Sequence, residues 1–379
     1  GTEADVAYVA GQAYAIRALC YLNLATWFSR APYNSLTGAS RWNEPCVPVY
    51  TTGTSIDTGG QPRESLRTVY GRIDQDIDRA IELLEKARET TLAENNKSHI
   101  NLYVALGIKS RACLAEGDWD GAFKAAKRVI DEGGYAVGTK SDLTGGMNSL
   151  DKQNVMWGAG IQVADQAGGY AGFFTHMDNK EGAYAKSAPK LISKQLYNRI
   201  SATDIRRDWW DPSDKESPYV SKKFSFANVA SFLGDYIYMR VEEMYFTAAE
   251  AALRLDDLKS ARELMNTVMA ERDPGYSANN RSGTLLGATT TTWTGSFLEN
   301  ILTHRRIELW GEYGRLFDVR RLGQGIDRRT DDGFSEECIS MMNRRNVNIT
   351  KADTYDWVLT IPKAELDANP NINEEDQNP

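Results

Sequence analysis

The chain has 379 residues, of which 41% are hydrophobic and 25% are charged, fractions close to those of ordinary soluble proteins. These values argue against a disordered, collagen-like or coiled-coil chain, and no apolar run approaches the ~18 residues that a membrane span needs. The 52 acidic residues outnumber 44 basic ones for a net charge of -8, which argues against nucleic acid as a partner because phosphate binding depends on a basic excess.

A strong helical pattern covers residues 4–29. Its apolar positions recur in steps of three or four, which places them on one continuous stripe. The stripe consists of Val6, Val9, Ala13, Ile16, Cys20, Leu24 and Trp27. No targeting signal is recognised before it. Because a helix with a complete apolar stripe must bury that stripe, we expect it to need a packing partner from upstream of this chain.

Further helices are predicted at 66–90, 99–116, 119–132 and 296–313. The hairpin formed by 99–116 and 119–132 is repeated later in the chain. A shift that places Asp118 on Asp257 also places Ala122 on Ala261 and Val129 on Val268. Each copy reads as two helices joined by a tight polar turn, the size of a tetratricopeptide-like unit of ~34 residues. The sequence therefore predicts a scaffold of helical hairpins.

Long irregular segments separate these helices. We predict a strand at 155–163 and another at 357–361, and we expect the insertions to lie together on one ligand-facing half. The complete prediction is one mainly α domain, 1–379, with its scaffold at 4–29, 66–132, 237–272 and 296–322 and its insertions at 30–65, 133–236, 273–295 and 323–379.

Templates for catalysis are missing: the sequence contains no G-x-S-x-G, P-loop, H-E-x-x-H or complete G-x-G-x-x-G motif. We expect His99 and His304 to cap or pack, and Cys20 and Cys113 to be small buried hydrophobes. The acidic pairs Glu242-Glu243 and Asp331-Asp332 are weak glycosidase signals, and 178–181 lacks the spacing of a calcium loop. We therefore predict no enzyme, no catalytic residue, no cofactor and no metal.

Aromatic residues in the irregular segments are a stronger signal. A flat ring can stack on the C–H face of a sugar while nearby amides bond its hydroxyls, and loops on a rigid frame often carry recognition. The predicted ligand-binding residues are Trp42, Asn43, Tyr170, Phe173, Trp209, Trp210 and Trp293. For any single Trp the alternative is that it packs an insertion onto the scaffold.

Charged residues are concentrated between Arg305 and Arg321. On one continuous helix, Glu308, Glu312 and Arg315 would share a face in an i, i+4, i+7 series. Such a face could be an active site, but we favour a partly buried structural network because buried charge is tolerated only when it is paired.

This segment resembles the SusD/RagB family of Bacteroidetes outer-membrane nutrient-binding proteins. The family pattern, a basic pair, E-L and then E-x-x-R-x-x-D-x-x-R, is matched from Arg305 to Arg321. The run from Arg240 to Ala251, the stretch from Pro189 to Arg206 and the ending from Trp357 to Pro379 also resemble family segments.

The resemblance implies a helical tetratricopeptide-like scaffold with an irregular ligand-facing half. It also implies a cell-surface lipoprotein of the outer membrane that binds glycans without catalysis and hands them to a SusC-like TonB-dependent transporter. Family members carry a lipidated cysteine and early helices, so the chain resembles a member that is truncated at its N-terminus, with any lipid anchor outside it. The turn 28–32 also departs from the usual aromatic-Gly-x-x-Pro stretch.

Two other functions stay open on the sequence. A tetratricopeptide adaptor would bind a peptide or protein in a groove between helices and would not need the Trp-bearing insertions. A glycoside hydrolase would need two carboxylates about 5–9 Å apart. The ligand among glycans and other nutrients is not identified by any motif.

Overall fold

A computed structural model describes residues 1–55, 57–88, 90, 92, 96–163, 171–328, 350 and 353–379. Within these residues the chain is about 47% helical with few strands, which confirms the predicted mainly α class. The α-helices are α1 (Glu3–Phe28), α2 (Leu66–Lys86), α3 (Leu102–Glu116), α4 (Trp119–Glu132), α5 (Lys140–Thr144), α6 (Phe173–Met177), α7 (Ala183–Ser187), α8 (Lys194–Tyr197), α9 (Val241–Arg254), α10 (Leu258–Ala270), α11 (Phe297–Glu308), α12 (Arg315–Leu322) and α13 (Lys363–Ala368). The strands are β1 (Val155–Ala159), β2 (Trp210–Asp211), β3 (Val220–Ser221) and β4 (Tyr236–Arg240). None of the helices in these ranges is long and apolar enough to cross a bilayer.

The two predicted hairpins are present as α3–α4 and α9–α10. In each copy the second helix begins after an aspartate whose carboxylate accepts a backbone N–H, Asp118 from Gly121 and Asp257 from Ser260, both at 3.0 Å. These N-caps satisfy amides that a helix start leaves unpaired. The turns need left-handed backbone, which Gly117 (φ 77°) supplies in the first copy and Asp256 (φ 62°) in the second.

The long helices pack in series. Helix α1 lies on α2, α2 on α3, α3 on α4, and α4 on α9, which also contacts α10 and α11. Buried alanines on α9, such as Ala248 and Ala251, let its neighbours approach closely. These helices enclose the larger of two apolar cores.

Helix α1 turns its small residues, not its apolar stripe, towards the core. Ala15 and Ala18 are fully buried, and Gly11 leaves room for Leu84 of α2. Within the described chain, the predicted stripe stays open to solvent, with Val6 65% and Val9 60% exposed. Cys20 is also exposed. Its predicted burial is wrong because it lies on the outer stripe, while Cys113 is buried as predicted.

The insertion at 133–236 is joined to the scaffold by a two-stranded antiparallel ribbon. Strand β1 pairs with β4, and β4 runs directly into α9 at Arg240. The predicted strand at 155–163 is confirmed only as far as Ala159. A second apolar core lies beside this ribbon and is built mainly from the insertion itself.

Two predicted elements differ in the structure. The apolar run 357–361 does not form a strand: a short 3₁₀ helix covers Tyr355–Trp357, and a single backbone bond, from Leu359 N to Trp27 O, ties the run to α1. The helix predicted at 296–313 ends at Glu308. Left-handed glycines, Gly311 (φ 76°) and Gly314 (φ 115°), form the turn that follows and separate α11 from α12.

Charged residues fill the joint between the insertion and the scaffold, and we call this set the charge network. Glu308 is fully buried and accepts hydrogen bonds from three guanidiniums, those of Arg206, Arg240 and Arg272, at 2.9–3.2 Å. Burial opposes its charge, but the three arginines hold the pKa of Glu308 well below its ordinary value. The other members are Asp204, Lys223, Glu242, Glu312, and the chain Arg111–Glu243–Arg305–Asp318–Arg321–Glu250.

The network confirms that the charges of the 305–321 segment form a structural network. It does not confirm that they share one face of a continuous helix. Because α11 ends at Glu308, Glu312 and Arg315 do not share a helical face with it. Glu312 instead pairs with Arg240 at 2.8 Å and with Lys223. Arg315 makes no ion pair among the described residues, and it faces a cavity.

Candidate ligand-binding cavities

An aromatic cavity of about 440 Å³ lies where the ribbon meets the scaffold. Its volume is within the ~300–1,000 Å³ typical of small-molecule sites. Six of its lining residues are aromatic, and we call it the ring-lined cavity. The rings are those of Trp157, Phe173, Phe224, Tyr236, Tyr238 and Tyr313, and the remaining lining residues are Leu19, Asn23, Arg111, Met147, Ile237, Gly311 and Glu312.

The walls of this cavity come from rigid elements. Strands β1 and β4 carry Trp157 and Tyr238, whose rings meet edge to face at 5.0 Å. Phe173, at the start of α6, packs edge to face on Phe224 at 5.2 Å. Such contacts fix each ring by its neighbour, so the wall is held in place without a ligand.

The polar groups at the rim are mostly engaged. Arg111 donates to Glu243 at 2.7–2.8 Å and to the carbonyl of Tyr238 at 3.0 Å, and its guanidinium lies 4.0 Å from the centre of the Tyr313 ring. Burial opposes the charge of Glu312, yet Arg240 and Lys223 hold the pKa of its carboxyl below its ordinary value. Glu312 is therefore a carboxylate that is already bound, which is unsuited to act as a general acid.

A larger cavity, of about 900 Å³, lies against the exposed stripe of α1. Its other walls are the loop 46–58 and the segment 361–372. Tyr21 and Tyr50 are bonded to each other there, since the Tyr21 hydroxyl donates to the Tyr50 carbonyl at 3.1 Å and accepts its N–H at 2.8 Å. Three aromatic rings reach this cavity, so it offers fewer stacking faces for its size than the ring-lined cavity.

A third cavity, of about 240 Å³, lies between α8, the end of α11 and the start of α12. We call it the arginine cavity, because three guanidiniums line it together with two indoles. Its arginines are Arg306, Arg315 and Arg328, and its indoles are Trp293 and Trp310.

The predicted ligand-binding residues are not brought together. Phe173 lines the ring-lined cavity and Trp293 lines the arginine cavity. Trp42 lines none of the three cavities and packs edge to face on Tyr70 at 5.7 Å, while Asn43 beside it is exposed. Tyr170 lies outside the described residues.

Trp209 and Trp210 lie in the second core and are 2% and 1% exposed. The indole N–H of Trp209 donates to the carbonyl of Leu143 at 2.8 Å, and the two rings meet edge to face at 5.8 Å. Neither indole offers a face to solvent in this structure. Both residues pack the insertion, which is the alternative to ligand binding. An insertion of about a hundred residues is large enough to build its own core.

The sequence analysis missed the residues that line the ring-lined cavity best. Trp157 and Tyr238 lie in the middle of strands β1 and β4, and Tyr313 lies in the turn between α11 and α12, whereas the predicted residues come from segments expected to be irregular. One signal was available: Tyr236 and Tyr238 alternate along β4, so both fall on one face of the strand.

The weak catalytic and metal signals receive structural explanations. Glu242 and Glu243 belong to the charge network, and Asp331-Asp332 lies outside the described residues. Asp178 accepts the backbone N–H groups of Lys180, Glu181 and Phe226 at 3.0 Å, so its carboxylate shapes a turn. Over the described ranges, no group of three potential metal ligands comes together.

Comparison with known families gives one match that covers more than half of the chain. The SusD family model matches residues 178–379, the part that contains α9 to α13 and every member of the charge network except Arg111. No curated protein matches this chain significantly.

Several solved structures share the fold. A SusD-like carbohydrate binding protein from Bacteroides vulgatus is 26% identical, with a TM-score of 0.75 over 99% of this chain and 79% of that one. A SusD superfamily protein from Bacteroides thetaiotaomicron is 23% identical, with a TM-score of 0.77 over the same shares. Surface glycan-binding protein A from Bacteroides uniformis is 17% identical, with a TM-score of 0.63 over 100% of this chain and 79% of its own.

Proposed function

Because this chain belongs to the SusD family, we propose that it is a non-catalytic glycan-binding protein and that the ring-lined cavity is its binding site. The observation that carries the proposal is the convergence of six aromatic side chains on one preformed cavity. Aromatic faces pack on the C–H faces of sugar rings, and the tyrosine hydroxyls and Asn23 offer hydrogen-bond partners for sugar hydroxyls.

The polar groups of the cavity support binding without catalysis. A glycosidase needs two carboxyl groups flanking the bond that breaks. Among its described lining residues the cavity has one carboxylate, Glu312, which Arg240 and Lys223 already engage. Bound sugar would therefore meet apolar faces and neutral hydroxyls.

The cellular role follows from the family and is part of the proposal. The protein is proposed to sit on the extracellular face of the outer membrane, held there by a lipid anchor. There it would hand its glycan to a SusC-like TonB-dependent transporter. The similarity to a carbohydrate binding protein and to a surface glycan-binding protein supports the glycan-binding part of this role.

The first test is retardation of the protein in native gels that contain different polysaccharides, with reducing ends assayed in the same samples. We expect retardation by at least one neutral polysaccharide and no new reducing ends. Tyr238→Ala, which removes a ring that is 40% exposed, should reduce the retardation while the protein stays folded.

Release of reducing ends by the purified protein would contradict the non-catalytic proposal. Retardation that is unchanged in Tyr238→Ala and in a second variant, Tyr313→Ala, would contradict the site. Phe232→Ala is the control, because Phe232 is a similarly exposed ring (47%) that does not line the cavity.

A further inference from the structure

The arginine cavity gathers cationic side chains in a chain whose overall charge is negative. Among its described lining residues, three carry guanidiniums and one, Asp327, carries a carboxylate, which accepts a hydrogen bond from the Thr291 hydroxyl at 2.9 Å. The chain as a whole carries a formal charge of -8. A local excess of positive charge inside a concave surface concentrates anions there.

Arg315 differs from the other arginines of its segment. Arg305 and Arg321 both bind Asp318, at 2.8–2.9 Å, and Arg320 donates to backbone carbonyls. The guanidinium of Arg315, by contrast, forms no hydrogen bond or ion pair with any residue that the structure describes. It is partly exposed and lines the cavity.

The position of Arg315 also costs the protein stability. Burial, partly offset by the charge of the nearby Asp318, lowers the pKa of Arg315 to about 10, so the group is charged at neutral pH but incompletely solvated. Arg315 is also the first residue of α12, which has no side-chain N-cap. A cation at that end opposes the helix dipole, and both effects would be relieved by an anion in the cavity.

We propose that the arginine cavity binds the acidic group, carboxylate or sulfate, of a charged sugar, with Arg315 as the guanidinium that pairs with it. The inference rests on the proposed glycan-binding function and narrows it to glycans that contain acidic sugars. A guanidinium matches a carboxylate or sulfate through two parallel hydrogen bonds.

The apolar parts of the cavity suit the same ligand. Trp293 and Trp310 supply apolar surface for the sugar ring, and Thr290 and Ser193 bring polar atoms to the lining. One face of Trp293 is covered by the guanidinium of Arg199 at 4.1 Å. Arg199 thus adds a fourth positive charge near the cavity and leaves the sugar the opposite face of the indole.

The test compares oligogalacturonate with its fully methyl-esterified form, by titration calorimetry. The two probes share the carbon skeleton and differ in charge. We expect the acid to bind about tenfold to a hundredfold more tightly, the range of a charge-assisted hydrogen-bonded pair, with an advantage that shrinks as salt rises. A chondroitin sulfate oligosaccharide and its desulfated form distinguish a sulfate preference from a carboxylate preference.

Variants connect the preference to the cavity. Arg315→Gln should abolish the advantage of the acid, whereas Arg79→Gln, at an exposed position of α2 outside the lining, should retain it. If Arg315→Gln does not fold, Trp293→Ala replaces it and should weaken binding of the acid at least fivefold.

Equal affinity for acid and ester, for both pairs of probes, would overturn the inference. So would an undiminished advantage in folded Arg315→Gln or, where that variant does not fold, unchanged binding in Trp293→Ala. Failure here is distinct from failure of the proposed function, because neutral polysaccharides report on the ring-lined cavity through Tyr238→Ala.

Discussion

The charge network and the ring-lined cavity lie side by side and share Arg111 and Glu312, but they treat polarity in opposite ways. In the network, carboxylates and guanidiniums are buried and bound to each other, so removing one group leaves others unpaired in a poorly solvated place. In the cavity, rings face an open space and the shared polar groups are already engaged. We therefore expect the stability of the protein to depend on the charge network and ligand binding to depend on the ring-lined cavity.

Glu308→Gln, in the charge network, should lower the free energy of unfolding more than any of the other variants does. The change leaves Arg206, Arg240 and Arg272 without the charge they share, and uncompensated buried charge costs about 3–5 kcal/mol. The measurement is the free energy of unfolding in urea. Glu82→Gln, which removes a pair with Arg79 and Lys86 on the exposed face of α2, is the matched control and should leave the midpoint unchanged. Equal midpoints for the two variants would show that the network does not support the fold.

Glu116 offers a contrast to the charge network, because it is a largely buried carboxyl to which no cation of the described residues is bound. Burial, helped by the nearby Asp74, raises the pKa of Glu116 to about 9. The folded chain thus holds this proton more tightly than the unfolded chain, so its stabilising effect is complete at acid pH and is lost as pH rises towards 9. Unfolding measured from pH 5 to pH 9 should show this decline.

Glu116→Gln should flatten that decline and leave the variant more stable than the parent at pH 9, by about 1–2 kcal/mol. Glu132→Gln, on the exposed surface of α4, should follow the parent curve. A decline of equal slope in Glu116→Gln would assign the pH dependence to other groups.

Trp157→Ala tests whether ligand binding depends on the ring-lined cavity. Loss of its ring should weaken binding of a neutral glycan about threefold to tenfold, with a smaller loss of stability than in Glu308→Gln. The measurement is titration calorimetry together with the unfolding midpoint. Trp27→Ala removes an exposed indole on α1 that does not line the cavity, one helical turn beyond Asn23, and should bind as the parent does. Equal affinities of the two variants would remove Trp157 from the site.

Salt gives the smallest expected effect. If rings carry the binding of a neutral glycan, its affinity should change by less than about twofold between roughly 0.05 and 0.5 M sodium chloride, since screening acts on charges. Titrations of the unmodified protein at the two salt concentrations measure this. A steep loss of affinity would assign binding of neutral glycans to charged groups.

The scaffold could be predicted from sequence because its signals are local and repeated. The 3.6-residue period, together with Asp118 and Asp257 at matching positions, located α3–α4 and α9–α10 closely. The predicted helix 296–313 extends past the end of α11, because the left-handed turn at Gly311 and Gly314 leaves no mark in the apolar periodicity. The orientation of α1 was also missed, since its contact with α2 depends on small residues such as Gly11 that the apolar stripe does not contain.

The site was harder to predict because its members come from distant segments. Trp157, Tyr238 and Tyr313 meet only when β1, β4 and the turn after α11 are folded together. Aromatic content alone does not separate such rings from Trp209 and Trp210, which fill a core. The separation depends on solvent exposure, which is a property of the folded chain. A structural ion-pair network was predicted because several of its members, such as Arg305, Glu308 and Asp318, lie within one short segment, whereas their partners from distant segments, such as Arg206 and Arg272, were not predicted.

The continuity of β4 with α9 has a consequence for binding kinetics. One wall of the cavity is a strand that becomes a core helix at Arg240, and Arg111 clamps the carbonyl of Tyr238 to that helix through Glu243. A wall held in this way has little ordering left to do when ligand arrives. Association should therefore proceed at a similar rate for different glycans, and their residence times should decide which of them the protein retains.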